Sequence, residues 1–199
     1  MFAALLDTSV LWPSLQRDFL LSLAAEGLYR PLWSTAILDE LRYHEAQKLI
    51  GRGHDPAPAA QRAQHLVDRM STAFDDAIVV NWESLEGTFG LPDIDDEHVV
   101  AAALVGGADV IVTNNLKDFP PSKIPKLLTV ISPAQFAGDT VAVSPDVAYR
   151  AVIAMASRFI RPSSSVDEIL DHLMARYAMF EAVNSSAASY SRYSRRSDR

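Results

Sequence analysis

Several acidic residues of this chain lie beside short apolar segments, where their side chains could take part in chemistry. They are Asp7, Glu40, Asp93, Asp95, Asp96 and Asp118. Carboxylates crowded within a few ångströms raise each other's pKa unless a cation compensates. The chain has no cysteine and no histidine spacing typical of a metal site. An all-oxygen ligand set favours Mg²⁺, with Mn²⁺ as the alternative, and suits metal-assisted hydrolysis of a phosphodiester bond.

Four short apolar or β-branched segments predict the strands that would bring these acids together. They cover residues 2–6, 77–80, 108–113 and 128–131. Helical patterns between them predict a parallel α/β sheet flanked by helices. Ligands bind beyond the carboxyl ends of parallel strands. Asp7 and Asp118, which follow two of the strands, are therefore expected at one edge of the sheet.

Helical spacing of apolar residues predicts the helices that alternate with these strands. The predicted helices cover 13–28, a segment around Glu40 capped by Ser34 or Thr35, 61–74 and 98–105. Asp95 and Asp96 are expected to cap the last of these, and Gly106-Gly107 to end it. The segment 51–60 contains several helix breakers and predicts a mobile loop.

The C-terminal third of the sequence predicts a helical extension. Residues 133–144 are expected to form a loop, and amphipathic helices are expected over 145–159 and 166–183. From residue 184 the chain is rich in Ser and Arg and poor in aliphatic residues, which predicts a flexible tail. The sequence thus predicts a main domain over 1–135, an extension over 136–183 and a tail over 184–199.

The net charge of −7 works against loose binding to a nucleic-acid backbone, because such binding depends on Lys and Arg. A phosphate substrate would need bound cations to reverse the local charge. The start of the chain has no basic segment and reaches Asp7 directly after the apolar run 2–6, which predicts neither a signal peptide nor a membrane span. Together with the absence of cysteine, this favours the cytoplasm.

Four segments, taken in order, resemble the PIN-domain family of ribonucleases, and in particular VapC-like toxins. They are LLDTSV at 5–10, ILDEL at 37–41, DIDDEHVVAAAL at 93–104 and IVTNNLKDFP at 111–120. The resemblance covers about the first 135 residues. It implies a PIN-like fold, a magnesium-dependent endoribonuclease activity, an RNA substrate, a small antitoxin partner and a homodimer. The C-terminal part resembles the extension of a longer VapC-like subgroup.

The resemblance also implies roles for individual residues. Asp7 would be the first metal ligand, Glu40 the second acid and Asp96 the third, while Ser9 and Thr113 would be polar residues beside them. The family's fourth acid commonly falls two residues after the threonine, where this chain has Asn115. Asn115 is a neutral oxygen ligand. Asp93 and Asp118 are the acids that could compensate for the missing fourth acid. Asp93 and Asn115 would act as metal ligands, and Asp118 would have a catalytic role.

Structural interpretations of the same residues remain open. Asp7 could end a strand in a turn with Ser9, Glu40 could be a solvated helix residue, and His98 is expected to have a structural role. A haloacid-dehalogenase-like phosphatase is disfavoured, because it needs a second aspartate where Ser9 stands. The alternative from another class is a catalytically weakened PIN fold that binds RNA or a partner.

Overall fold

The computed structural model describes residues 1–158, 165–179 and 181–185. Its centre is a parallel sheet of five strands in the order β3-β2-β1-β4-β5. The strands are β1 (Ala3–Leu6), β2 (Arg30–Ser34), β3 (Ile78–Val79), β4 (Val110–Val112) and β5 (Thr129–Ile131). The predicted α/β class and parallel sheet are confirmed. In these residues no helix is long and apolar enough to cross a membrane.

Helices connect the strands and continue beyond the last one. They are α1 (Thr8–Leu11), α2 (Ser14–Ala25), α3 (Thr35–Gly51), α4 (Pro56–Ala73), α5 (Glu97–Gly106), α6 (Pro133–Val143), α7 (Pro145–Arg158) and α8 (Val166–Tyr177). Helix α5 packs against β1, β2, β3 and β4. The strands are therefore covered by apolar helix surface, and β1 and β4 are buried at every residue.

Strand β2 was not predicted from the sequence, and its second residue, Pro31, is of a type seldom found in central strands. The structure nevertheless places β2 between β1 and β3. Pro31 cannot donate, but its neighbours do: the Arg30 amide donates to Phe2 O (2.9 Å) and the Trp33 amide donates to Ala77 O (3.1 Å). Burial of Leu32 and Trp33 compensates for the missing ladder hydrogen bond.

Two segments predicted as loops contain helix, which corrects those predictions. In 51–60, α3 extends to Gly51 and α4 already begins at Pro56. In 133–144, α6 covers Pro133–Val143, and the Ser132 hydroxyl accepts from the Gln135 amide at 3.2 Å. In both cases a proline interpreted as a breaker lies in the first helical turn. N–H groups in the first turn have no acceptor within the helix, so a proline there costs no intrahelical hydrogen bond.

The chain divides into two compact units. One comprises residues 1–12 and 30–131, and the other comprises residues 13–29 with the described residues from 132 onward. The first unit contains the sheet with α1, α3, α4 and α5. The domain boundaries expected from the sequence stay a prediction, and from residue 186 the expected tail lies outside the described residues.

The second unit consists of α2 packed with α6, α7 and α8. Tyr29 and Phe136 meet edge to face with ring centroids 4.7 Å apart, and the Tyr29 hydroxyl donates to Leu20 O at 3.0 Å. Both rings are almost completely buried. A helix from the middle of the first crossover thus shares a core with the C-terminal helices.

Candidate active site

The register of the sheet places Asp7 and Thr113 next to each other at its carboxyl edge. Leu6 of β1 pairs with Val112 of β4, and the Asp7 amide donates to Val112 O at 3.1 Å. Each strand ends one residue before the side chain concerned. Asp7 and Thr113 are both buried, at 4% and 0% exposure.

Two hydroxyl groups hold the carboxylate of Asp7. Ser9 Oγ and Thr113 Oγ1 each donate to Asp7 Oδ2 at 2.6 Å, and the two hydroxyl oxygens lie 3.3 Å apart. The two hydrogen bonds fix the orientation of this carboxylate in a buried position. The alternative Asx-turn with Ser9 is not formed, because Asp7 makes no side-chain cap hydrogen bond and the contact with Ser9 comes from the Ser9 hydroxyl group.

The loop after β4 is anchored on the loop after β1. Asn114 donates from its amide to Ser9 Oγ (3.1 Å) and from Nδ2 to Ser9 O (2.8 Å). The Asn115 amide donates to Thr113 Oγ1 at 3.0 Å, while its side chain is exposed. Among the described contacts none joins the Asn115 side chain to an acid. Asn114 was not singled out from the sequence, since neither strand pattern nor charge marks it.

Asp96 lies among other carboxylates. Its pKa is raised to about 6, mainly by burial and then by the negative charges of Asp7, Asp118 and Asp93. The four aspartates come from three loops of the chain. Asp7, Asp93 and Asp118 are each near enough to Asp96 to raise its pKa. The structure thus brings together four of the acids named from the sequence.

The carboxylate of Asp96 is not used to cap α5, contrary to the sequence prediction. Residues Ile94–Asp96 form a single 3₁₀ turn before the helix, and Asp93 Oδ1 accepts from the Asp95 amide at 3.0 Å. Asp96 occupies the position before α5 in a right-handed conformation with no side-chain cap hydrogen bond. Asp93 therefore caps the turn, and Asp96 keeps its carboxylate for the site. The predicted stop at Gly107 is confirmed by its left-handed backbone (φ 66°).

Glu40 is held by one partner on each carboxylate oxygen. Thr8 Oγ1 donates to Oε2 at 2.6 Å, and His98 Nε2 lies 3.0 Å from Oε1. Burial would raise the pKa of Glu40, but the hydrogen bonds from His98 and Thr8 and the charges of His98 and His44 lower it below its usual value. Glu40 is thus a positioned anion and not a freely solvated helix residue.

His98 is a site residue that the sequence did not assign. Burial lowers its pKa, but the hydrogen bond and charge of Glu40, followed by the charge of Asp7, raise it above the ordinary value. Its Nδ1 is buried and has no hydrogen-bond partner in the described part of the chain. The ring lies 5.8 Å from that of Trp82. Thr8 was also missed, although it lies inside the segment that carries Asp7.

Glu97 is a buried acid that organises the loop before the site. Its two oxygens accept from the amides of Phe89 (3.0 Å) and Leu91 (2.9 Å). The backbone bond from Phe89 is the largest influence, and the bonds together outweigh burial and lower the pKa of Glu97. The loop that leads to Asp93 is therefore fixed by the residue directly after Asp96.

The donor chemistry of this site fits a hard divalent cation. The mutual repulsion that raises the Asp96 pKa is what such a cation would relieve. Within residues 1–158, 165–179 and 181–185, no three His, Cys, Asp or Glu side chains already lie close enough to hold an ion together.

The geometry defines a class of protein: a parallel α/β protein with an acidic site at the carboxyl edge of its central strands. The family model described as "PIN domain" matches residues 3–117, which include Asp7, Glu40 and Asp96. The chain belongs to the PIN-domain family.

One curated relative was also found. It is a protein of Mycobacterium tuberculosis named "Putative ribonuclease VapC50", which is 32% identical over 88 residues, or 44% of this chain and 52% of the relative. The chain therefore matches about half the length of that relative. No solved structure matches the chain.

Proposed function

We propose that this protein is a magnesium-dependent endoribonuclease that acts as the toxin of a type II toxin-antitoxin pair. The observation that carries the proposal is the group of Asp96 and the three aspartates that act on it, Asp7, Asp93 and Asp118, at the carboxyl edge of the sheet. Membership of the PIN-domain family and the ribonuclease name of the curated relative support it. Mn²⁺ would serve as an alternative ion.

Asp7 and Asp96 are the proposed principal ligands, with Glu40, Asp93 and Asn115 completing the pocket and Asp118 beside them. Asp7 Oδ1 is the oxygen that neither Ser9 nor Thr113 contacts. When bound, the ion supplies charge neutralisation at the scissile phosphate and makes water more acidic.

The chain's own residues prepare the site in three ways. Ser9 and Thr113 fix the direction of the Asp7 carboxylate. Thr8 and His98 fix that of Glu40. Asp96, whose pKa of about 6 lies near neutrality, can hold or release a proton at its carboxyl oxygen. In the ion-free protein this proton would have to leave before Asp96 could serve as a ligand.

The proposed partners follow from the family and not from a surface of the molecule. They are an RNA substrate, a small antitoxin that covers or fills the acidic groove, and a second copy of the chain in a homodimer. We place the protein in the cytoplasm, where a chain without cysteine is at no disadvantage.

A catalytically weakened PIN fold that binds RNA or a partner is the second candidate. It is favoured by Asn115, whose neutral and exposed side chain stands where the family commonly has an acid.

The experiment is incubation of purified, antitoxin-free protein with a structured RNA, first in EDTA and then with excess Mg²⁺ or Mn²⁺. The nuclease proposal predicts cleavage that needs the added ion. Retained RNA binding without cleavage under either ion would favour the weakened module.

A further inference from the structure

A cluster of exposed aromatic side chains lies beside the acidic site and has no part in the proposed mechanism so far. It consists of Trp12, Tyr43 and His44, which we call the aromatic platform. The His44 ring lies 6.3 Å from that of Trp12 and 5.4 Å from that of Tyr43, both in edge-on arrangements. All three residues are exposed, with Trp12 at 43% and Tyr43 at 61%.

The chain connects this platform directly to the site. Trp12 immediately follows α1, the short helix that begins after Asp7. His44 lies four residues after Glu40 on α3, and residues at that spacing share a helix face. The charge of His44 also contributes to lowering the pKa of Glu40, which indicates that the two side chains are close.

The composition of the platform differs from that of an ordinary solvated surface. Large aromatic residues are seldom left exposed together without a partner. Lys48 lies with its Nζ 6.0 Å from the centroid of the Trp12 ring and also pairs with Glu45. A cation near an aromatic ring adds attraction for a stacked base and its phosphate.

We propose that Trp12, Tyr43 and His44 form a stacking site for an unpaired RNA base next to the phosphate that is cut. The inference rests on the proposed nuclease function. Unstacked bases bind to the faces of aromatic side chains, and this attraction does not depend on sequence. Stacking would also supply binding affinity for RNA. Because the net charge of the chain is −7, contacts with phosphates would supply little of that affinity.

The test measures binding separately from cleavage, using the cleavage-disabled Asp96→Asn variant. The probes are a short oligouridylate and an abasic ribose-phosphate chain of the same length. Of the three tryptophans, Trp33 and Trp82 are buried, so a change in fluorescence on binding reports chiefly on Trp12. We expect oligouridylate to change the fluorescence and to bind at least about fivefold more tightly than the abasic chain.

Trp12→Leu and Tyr43→Leu should each weaken oligouridylate binding about fivefold or more and leave abasic binding unchanged; these affinities are measured by filter binding, because Trp12→Leu removes the fluorescent reporter. Phe2→Leu is the matched control, because Phe2 is 46% exposed but precedes β1 at the opposite edge of the sheet. It should leave both affinities unchanged. Thermal melts establish that each variant is folded.

Equal binding of the two probes, or an unchanged oligouridylate affinity in both platform variants, overturns the proposal. Loss of a copurifying antitoxin from Trp12→Leu with unchanged oligouridylate binding also overturns it, and assigns the platform to a protein partner. If the parent binds oligouridylate through the platform but cuts no RNA, the platform is supported and the nuclease proposal fails.

Discussion

At the scale of single residues, the site depends on neutral side chains that hold carboxylates in place. Each of the two best-fixed acids, Asp7 and Glu40, accepts from a threonine. Asp96, whose side chain makes no cap hydrogen bond, has a raised pKa. The proposed metal site thus combines two positioned carboxylates with a third whose pKa is raised.

Thr113→Val tests the support of Asp7. Valine keeps the shape of the buried side chain but removes the donor to Asp7 Oδ2, so the free energy of unfolding should fall by about 1.5–3 kcal/mol, the range for a hydrogen bond to a charged group. Urea unfolding measures the change. Thr72→Val is the control, because the Thr72 hydroxyl donates to a carbonyl of its own exposed helix turn. Similar losses in the two variants would contradict the role of Thr113.

Ion binding should weaken as the pH falls through the Asp96 pKa. Because this pKa is raised to about 6, a proton competes with the ion below that pH and hardly above 7. Mn²⁺ titration by calorimetry is expected to show an affinity that drops by up to about tenfold per pH unit below 6. Asp96→Asn should bind weakly and with much less pH dependence. A pH-independent affinity in the parent would remove Asp96 from the ligand set.

The pair of Glu40 and His98 should stabilise the ion-free protein within a defined pH window. Folding raises the His98 pKa, so its contribution is complete below about 6.5 and is lost as the pH rises through the raised value. Folding lowers the Glu40 pKa, so that contribution is present above about 4.5 and is lost as the pH falls through the lowered value. The stability difference between the parent and Glu40→Gln in EDTA is therefore expected to be largest between these limits. A difference that grows steadily toward alkaline pH would contradict the pairing.

At the scale of helices and strands, close packing of α5 on the sheet sets the position of Asp96. Gly106, the last residue of this helix, approaches β2 and β3 so closely that an added Cβ would lie 2.7 Å from Val79 Cγ2 and 3.2 Å from Leu32 Cδ1. Asp96 stands at the other end of the same helix. Any shift of α5 would therefore be transmitted to the acid site.

Gly106→Ala should destabilise the protein by about 1–3 kcal/mol through overpacking. The matched control is Gly51→Ala at the end of α3, where an added Cβ meets nothing within 4 Å. That change should be neutral or slightly stabilising. Chemical denaturation of both variants measures the contrast, and a Gly106→Ala protein as stable as the parent would show that α5 is not tightly seated.

The sequence predicted the elements whose patterns are strong and local. The strands that carry Asp7 and Thr113 are apolar runs followed at once by polar residues, and α5 is an alanine-rich run bounded by acids and glycines. Strand β2 contains Pro31, which has no N–H to donate to a neighbouring strand. The pairing of β2 with β1 and β3 overrides that local disadvantage, and such long-range pairing cannot be recognised from a local pattern. The contact of His98 with Glu40 joins positions 58 residues apart, and no local pattern encodes it.

At the scale of the whole molecule, the proposed function requires an acidic chain to bind an acidic polymer. With a net charge of −7, few phosphates can be neutralised by lysine and arginine, and stacking together with bound cations is expected to provide most of the affinity for RNA.

The grouping of α2 with the C-terminal helices shows further that the second unit is not simply an appendage at the end of the chain.

The affinity for single-stranded RNA should therefore depend only weakly on salt. If one or two phosphates are neutralised, raising monovalent salt from about 50 to 200 mM should weaken binding by less than about tenfold. Fluorescence titration of the Asp96→Asn variant at several salt concentrations measures the slope. A loss of several hundredfold would instead indicate an extensive basic surface.

The central claim is that the aspartates around Asp96 perform metal-dependent RNA cleavage. Its most direct test compares RNA cleavage by Asp96→Asn and Asp95→Asn in Mg²⁺, because both variants lose one negative charge at adjacent positions. Asp96 lies among Asp7, Asp93 and Asp118, whereas Asp95 is exposed. We expect Asp96→Asn to lower the cleavage rate about a hundredfold or more and Asp95→Asn to leave it nearly unchanged. Equal rates in the two folded variants would contradict the claim.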